Sequence, residues 1–432
     1  MHLPNTYVTS AHKEEIAVFR RLALVLAVLT ATGCAATGDE GGDTARTGGT
    51  GPITFATGRD TTAYLQPLLD RWNQAHPAEK VTLIELPEAA DEQRAQMVAN
   101  LQARSTRYDV LGLDVVWTAE FAENGWIIPL ERGSFPLDKF LPPVVKTAIY
   151  KDKLWAVPYT SNAGLLYYRT DLVRKPPRTW AELRQQAQQI TKKHDIEGYA
   201  GQFLAYEGLT VNFSEAVQSA GGQILSTDGT QVTLDPASAT TALEFLQQGL
   251  REGWIPEESL NYKEEESRLA FQEGRLAFAR NWPHAYGPAR NRLGDKIAVT
   301  TLPGPDGPGS SSLGGINLAI SAYSQHQQTA TEFIRYFTSL ENERRVLTEG
   351  SFPPVWTELY DDPELIERFP YLPVLKESIL AAEPRAASPH YNQLSLVIAS
   401  TVAKALNPPI SETADDVAVS LKAELEEIIR TQ

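Results

Sequence analysis

Between residues 53 and 114 the chain alternates strand-like runs with helix-like stretches, and this alternation limits it to an α/β fold. Ile53 to Ala56 reads as a first strand. Residues 61–75 then place Tyr64, Leu65, Leu68, Leu69 and Trp72 on one helical face, and Pro77 ends the helix. Val81 to Leu86 is a second strand, Asp91 to Arg104 a second helix with Met97, Val98 and Leu101 turned inward, and Asp109 to Asp114 a third strand. Such a pattern gives a largely parallel sheet, in which ligands bind beyond the carboxyl ends of the strands. Asp114 stands at one such end and Gly58 to Thr61 at another.

The middle of the chain is more helical. Spacing predicts helices over 180–192, 210–220, 237–252 and 264–273, with Gly221-Gly222 and Gly274 as C-terminal punctuation. Leu318 to Ser321 returns to strand character. A last helix over 413–429 carries a stripe of Val417, Leu421, Leu425 and Ile428. At 432 residues the chain is too long for one simple core, so two compact units are expected. Its net charge of −15 argues against a nucleic-acid partner, because phosphate affinity comes largely from Lys and Arg. No H-E-x-x-H, G-x-S-x-G, Walker loop or G-x-G-x-x-G occurs, so neither metal nor nucleotide cofactor is implied.

The one cysteine, Cys34, excludes an intrachain disulfide. Arg20 and Arg21 precede the apolar run Leu22 to Leu29, and small residues lead to Cys34, as in a secretory signal peptide. The uncharged stretch is short for a spanning helix, which needs about 20 apolar residues. Ala31-Thr32-Gly33-Cys34 resembles a bacterial lipobox, although a Leu is usual at the position of Ala31. We therefore expect residues 1–34 to be a signal peptide and Cys34 to carry a lipid. Glu14 and Glu15 place the natural start nearer Val18. Residues 35–51, rich in Gly, Thr, Ala and Asp, cannot bury enough surface to offset their ordering entropy and read as a flexible tether.

Six segments spread along the chain carry a family resemblance. They are DVLGLDVVWTAEFAENGWIIPL (109–130), LWAVPYTSNAGLLYYRTDL (154–172), YEGLTVNFSEAVQSAGG (206–222), AFQEGRLAFARNWPHAY (270–286), SLGGINLAIS (312–321) and EPRAASPHYNQLS (383–395). The chain resembles the extracellular solute-binding proteins of ABC sugar importers over roughly residues 52–430, and most of all the trehalose/maltose-binding branch with its actinobacterial trehalose-binding lipoproteins. The resemblance implies a periplasmic-binding-protein-like α/β fold of type II, with two hinged lobes around a ligand cleft. Lobe one would take 52–160 and 312–354, and lobe two 161–311 and 355–432. It also implies a monomer that is lipid-anchored to the outer face of the cell membrane, binds a small saccharide, meets the transmembrane subunits of an ABC permease and catalyses nothing.

A saccharide offers hydroxyls at its edges, which suit carboxylates, amides and arginine, and C–H faces, which suit aromatic rings. The residues themselves leave two readings open at each candidate. Asp114 is a hydroxyl-binding carboxylate or a helix N-cap. Asn162 is a ligand amide or a turn residue. Trp282 stacks on a sugar or fills the core. Gly314-Gly315 allows close backbone approach to a ligand or makes a turn. The resemblance favours the ligand reading for these residues and for Arg385. His284 stands where relatives often have Tyr, and Ile316 where they have Trp. Tyr206, Glu207, Glu264 and Glu265 open helices and are further ligand candidates. Asp60 and Thr61 lie near a carboxylate used by relatives, and Gln93 and Arg94 lie on the second helix within reach of the cleft rim. The rival class is a glycoside hydrolase, whose two carboxylates would stand about 5 to 9.5 Å apart. A binder of some other small solute on the same fold is the third reading.

Overall fold

The computed structural model describes residues 49–431 apart from 61–62, 227–228 and 386. The expected signal segment, Cys34, the tether up to residue 48 and Thr61 lie outside the described residues.

Two sheets organise the chain. In the first, β1 (Ile53–Gly58) pairs in parallel with β2 (Val81–Leu86) and β3 (Val110–Asp114), as the alternation requires. The helices Leu65–Ala75 and Ala90–Gln102 supply the crossovers. The first buries Leu65, Leu68, Leu69 and Trp72, and the second Met97 and Leu101. These are apolar positions that the 3.6-residue period places on one face.

The chain leaves this sheet along β4 (Val157–Ala163). After the single residue Gly164 it enters the second sheet as β5 (Leu165–Arg169). That sheet also holds β6 (Glu197–Ala200), β7 (Leu276–Asn281) and β8 (Ile297–Thr300), in the order β8-β5-β7-β6. The return strand β9 (Ser312–Ile320) lies antiparallel to β3 on one side and to β4 on the other. Finally β10 (Glu383–Pro384) pairs with Ser312 and Leu313 before the chain crosses again into the helix Tyr391–Leu406. The three crossings are neighbours. Leu313 is paired with both Ala163 and Pro384, and Gly164 N–H donates to Ser311 Oγ at 2.6 Å.

Strand β9 begins well before the expected Leu318. Its glycines, which mimic a turn in sequence, sit inside the ladder: Gly315 has φ +140°, and a Cβ there would collide with the Thr160 carbonyl. Only glycine admits β4 this closely.

Buried apolar side chains form two clusters. One fills the first sheet and runs on to Leu165, Tyr167, Leu276 and Ala279 of the second, and the other gathers around the helices Glu207–Ser219, Pro236–Arg251 and Ala414–Arg430. The segment 355–379 packs with the larger of these clusters. Val355, Tyr360, Leu365, Leu372 and Ile379 pack into the first cluster, not the second, and Tyr286 joins them against Tyr371 with ring centroids 4.5 Å apart. Apolar spacing reveals that such residues are buried, but not in which core.

Candidate functional site

A cavity of about 230 Å³ opens where the carboxyl ends of β1 and β2 face the end of β7, with β4 and β9 behind. Six of the candidate residues line it: Asp60, Asn162, Glu264, Glu265, Trp282 and His284, together with Gln93 and Ile316. They come from separate segments: strand ends, the start of the helix Glu264–Gln272 and the middle of β9.

Trp282 follows β7 directly. Its backbone N–H is held by Asn281 Oδ1 at 2.7 Å, and its carbonyl accepts from Tyr167 Oη at 2.7 Å. The guanidinium of Arg280 lies 4.0 Å from the indole centroid and covers one face of the ring. A Cβ on Gly314 would stand 3.1 Å from the far edge of the same indole. The close approach that Gly314 and Gly315 allow is therefore to the protein itself, namely to Trp282 and to strand β4, and neither glycine lines the cavity.

His284 stacks on Phe352 with centroids 5.7 Å apart and ring planes 22° apart. Burial pushes its imidazole down to about 4, so the ring is neutral at pH 7 and offers one donor and one acceptor. Asn162 presents a buried carbonyl oxygen that has no partner among the described residues. Asp60 accepts from Leu65 N–H at 2.8 Å, which caps the first helix as well as placing the carboxylate at the cavity. Glu264 accepts from Tyr206 Oη at 2.5 Å, and Glu265 is gripped by both Nε and Nη2 of Arg268. Tyr206 is buried, so it steadies Glu264 without lining the cavity.

Several lining residues escape a sequence reading, among them Tyr64, Tyr159, Phe352 and Glu88. Tyr64 and Tyr159 meet with hydroxyls 2.5 Å apart, and Phe352 packs on Tyr64 at 5.0 Å between centroids. In sequence Tyr64 is one of five apolar residues on a helical stripe, and nothing distinguishes it from core. Glu88 faces the first-turn carboxylates Glu264, Glu265 and Glu266, and partial burial with this like charge raises its pKa. Among many acidic residues no local signal marks it.

Four further candidates, Asp114, Glu207, Arg385 and Arg94, form a second group beside the cavity, where they are paired within the protein. Arg385 donates through Nη2 to Asp114 Oδ1 at 2.9 Å and through Nη1 to Glu207. Glu207 also accepts from Tyr391 Oη at 2.8 Å and from Ser395 Oγ. Asp114 is at once an N-cap, accepting from Val116 N–H at 3.2 Å. Arg94 is held by Glu120, with Nε 2.8 Å from Oε2. Asp114, Glu207, Arg385 and Arg94 thus satisfy one another or near neighbours, because buried charges require partners. The group still abuts the cavity, since Ile316 in its wall is the strand partner of Asp114.

Two α/β halves, joined by adjacent strand crossings and sharing a cleft with aromatic and polar walls, define the architecture of a small-solute binder. Comparison with known proteins agrees. Residues 56–344 match the family described as bacterial extracellular solute-binding protein, and the chain belongs to that family. It is 32% identical over 339 residues to a probable ABC transporter-binding protein of Deinococcus radiodurans, covering 74% of this chain and 80% of that one. Maltose-bound MalE3 of T. maritima superposes with a TM-score of 0.82 at 32% identity, covering 87% of this chain and 99% of the other. The GacH receptor of Streptomyces glaucescens shares the fold, with a TM-score of 0.78 at 22% identity over 88% of this chain and 99% of that one. The fold is the two-lobed, hinged form of these proteins, and the family is extracytoplasmic.

Proposed function

We propose that this protein captures a small saccharide between its lobes and delivers it to the permease of an ABC importer. The carrying observation is the composition of the cavity lining: the indole of Trp282 and the neutral imidazole of His284 share it with the carboxylates Asp60 and Glu264 and with the Asn162 oxygen, which has no partner among the described residues. Ring faces would meet the aromatics and hydroxyls the polar groups. The 230 Å³ volume lies below the range of about 300–1,000 Å³ typical for drug-sized ligands, which favours one or two sugar rings over a longer chain. Trehalose is the first choice. Maltose, the ligand named for the T. maritima relative, or another α-linked disaccharide is the second.

In this reading the sugar binds one lobe and the other closes over it, shifting the hinge equilibrium by its preference for the closed state. The protein acts as a monomer tethered by a lipid on Cys34. Truncation before Ala35 then moves it from the membrane to the soluble fraction; persistent membrane association of the truncated protein counts against the anchor.

A thermal-shift screen over mono- and disaccharides tests the function. A ligand bound only by the folded state raises the melting midpoint, by about 2.7 kcal/mol of stability at a hundred times Kd. The expected result is a rise with trehalose or maltose and no released monosaccharide after long incubation. A screen in which no sugar raises the midpoint rejects the reading, and cleavage of the disaccharide would favour the hydrolase instead.

A further inference from the structure

We propose that Glu207 is a positioning residue whose ionisation tunes the grip on ligand, because through Arg385 it orients the Asp114 carboxylate and ties the two lobes together. This rests on the solute-binding reading above and concerns how the cleft is held.

Glu207 opens a helix whose Leu209, Phe213 and Val217 belong to the second core. Asp114 ends β3 of the first sheet. Arg385 lies between β10 of the first sheet and the helix Tyr391–Leu406, whose Leu394 and Ile398 belong to the second core. One guanidinium, with only 3% of its side chain exposed, thus joins a carboxylate from each lobe. Glu207 N–H adds a third link, donating to Asp91 Oδ2 at 3.3 Å on the helix Ala90–Gln102 of the first lobe. The Nε of Arg385 is buried without a partner among the described residues, so the guanidinium is incompletely satisfied and depends on its two carboxylates.

The groups facing Glu207 are Arg385, Asp114 and Asp91 from the segments named, and Tyr391 and Ser395 from the helix Tyr391–Leu406. Arg94 near Asp91 is engaged by Glu120. Burial pushes Glu207 up to about 7, against the pull of Arg385 and with the push of Asp114. Ionised, Glu207 holds the guanidinium between the lobes. Protonated, it no longer attracts it as a charge, and Arg385 is left with Asp114 alone.

Calorimetry with maltose and with trehalose between pH 5.5 and 8.5 tests this in wild type and Glu207→Gln. Wild-type affinity is expected to fall about three- to tenfold as pH drops from 8 to 6. Glu207→Gln should bind with the weaker affinity and show no step. A flat wild-type profile, or the same step in both proteins, overturns the proposal. A ligand-free readout separates it from the function itself: the radius of gyration from X-ray scattering should be larger at pH 6 than at pH 8 in wild type and constant in Glu207→Gln. A constant wild-type radius overturns the tie between lobes even where sugar binds. A pH-dependent radius with no binding of either sugar supports the tie and rejects the saccharide reading. Folding stability titrates with the same group. A carboxyl whose folded pKa lies above its unfolded value of 4.5 loses stability as pH rises from there through about 7, and Glu207→Gln should lack that increment.

Discussion

Replacing Glu215 with alanine is expected to lower stability by about 3–5 kcal/mol, the cost of leaving a buried charge without its partner, and to weaken ligand binding in the same variant. Glu215 and Arg280 are both almost wholly buried and paired in a fork, Nε to Oε2 at 2.8 Å and Nη2 to Oε1 at 2.6 Å. The third nitrogen of Arg280 donates to Gln202 Oε1 at 3.0 Å. Glu215 reaches further, accepting from Ser311 Oγ at 3.1 Å and from Ser312 N–H at 3.3 Å, and Ser311 in turn holds the Gly164 N–H. One carboxylate therefore anchors two of the strand crossings and the cation that backs Trp282. Its removal strands a guanidinium in the interior and frees the backing of the indole.

Chemical denaturation and calorimetry on the variant measure both effects. Glu215→Met combined with Arg280→Met separates them. Apolar side chains of similar volume recover much of the stability, because no charge is left uncompensated. The ring has still lost its cation, so affinity stays low. A Glu215→Ala protein within 1 kcal/mol of wild type would show that the pair is solvated in solution. Normal affinity in the double variant would show that Arg280 plays no part in presenting Trp282.

The parts legible in the sequence are those governed by local periodicity. The β1 to β3 segment and the helices at Trp180, Glu264 and Ala414 lie close to where residue spacing puts them, since burying one face of an element needs only neighbours three and four residues apart. Trp282, His284 and Asp60 are candidates through the family resemblance and not through local spacing, and all three line the cavity. Arg385 and Asp114 illustrate the opposite case. Their pairing spans 271 residues, and nothing in either neighbourhood says that the partner of a charge will be another side chain instead of a ligand. Gly314 and Gly315 are legible as glycines needed for close approach, but what approaches is set by the Thr160 carbonyl and the Trp282 ring, more than 150 and 30 residues away respectively. Glu88 and Phe352 come to the cavity only through the packing of whole lobes. Local rules thus reveal the elements and their ends, while the sharing of charge between lobes is a property of the assembled fold.

Trp282→Ala is expected to weaken saccharide binding by at least tenfold, about 1.4 kcal/mol, with the fold retained. The residue is half-buried and belongs to neither core cluster, so truncation removes cavity wall and leaves both cores filled. One face of its ring is occupied by Arg280 and one edge abuts Gly314, which leaves the rest for ligand. An aromatic ring held on one side loses little freedom on binding, and its full contact area counts towards affinity. Trp282→Phe should recover part of the loss, since a smaller ring covers less of the sugar face. Gly314→Ala probes the same surface while keeping the indole itself. Its methyl would lie 3.1 Å from the ring edge and push Trp282 towards the cavity, so affinity should fall while the melting midpoint changes little. Titration calorimetry of the three variants decides the matter. Unchanged affinity in Trp282→Ala, with the protein folded, would remove the indole from the binding surface and leave His284, Tyr64 and Phe352 as the aromatic contacts.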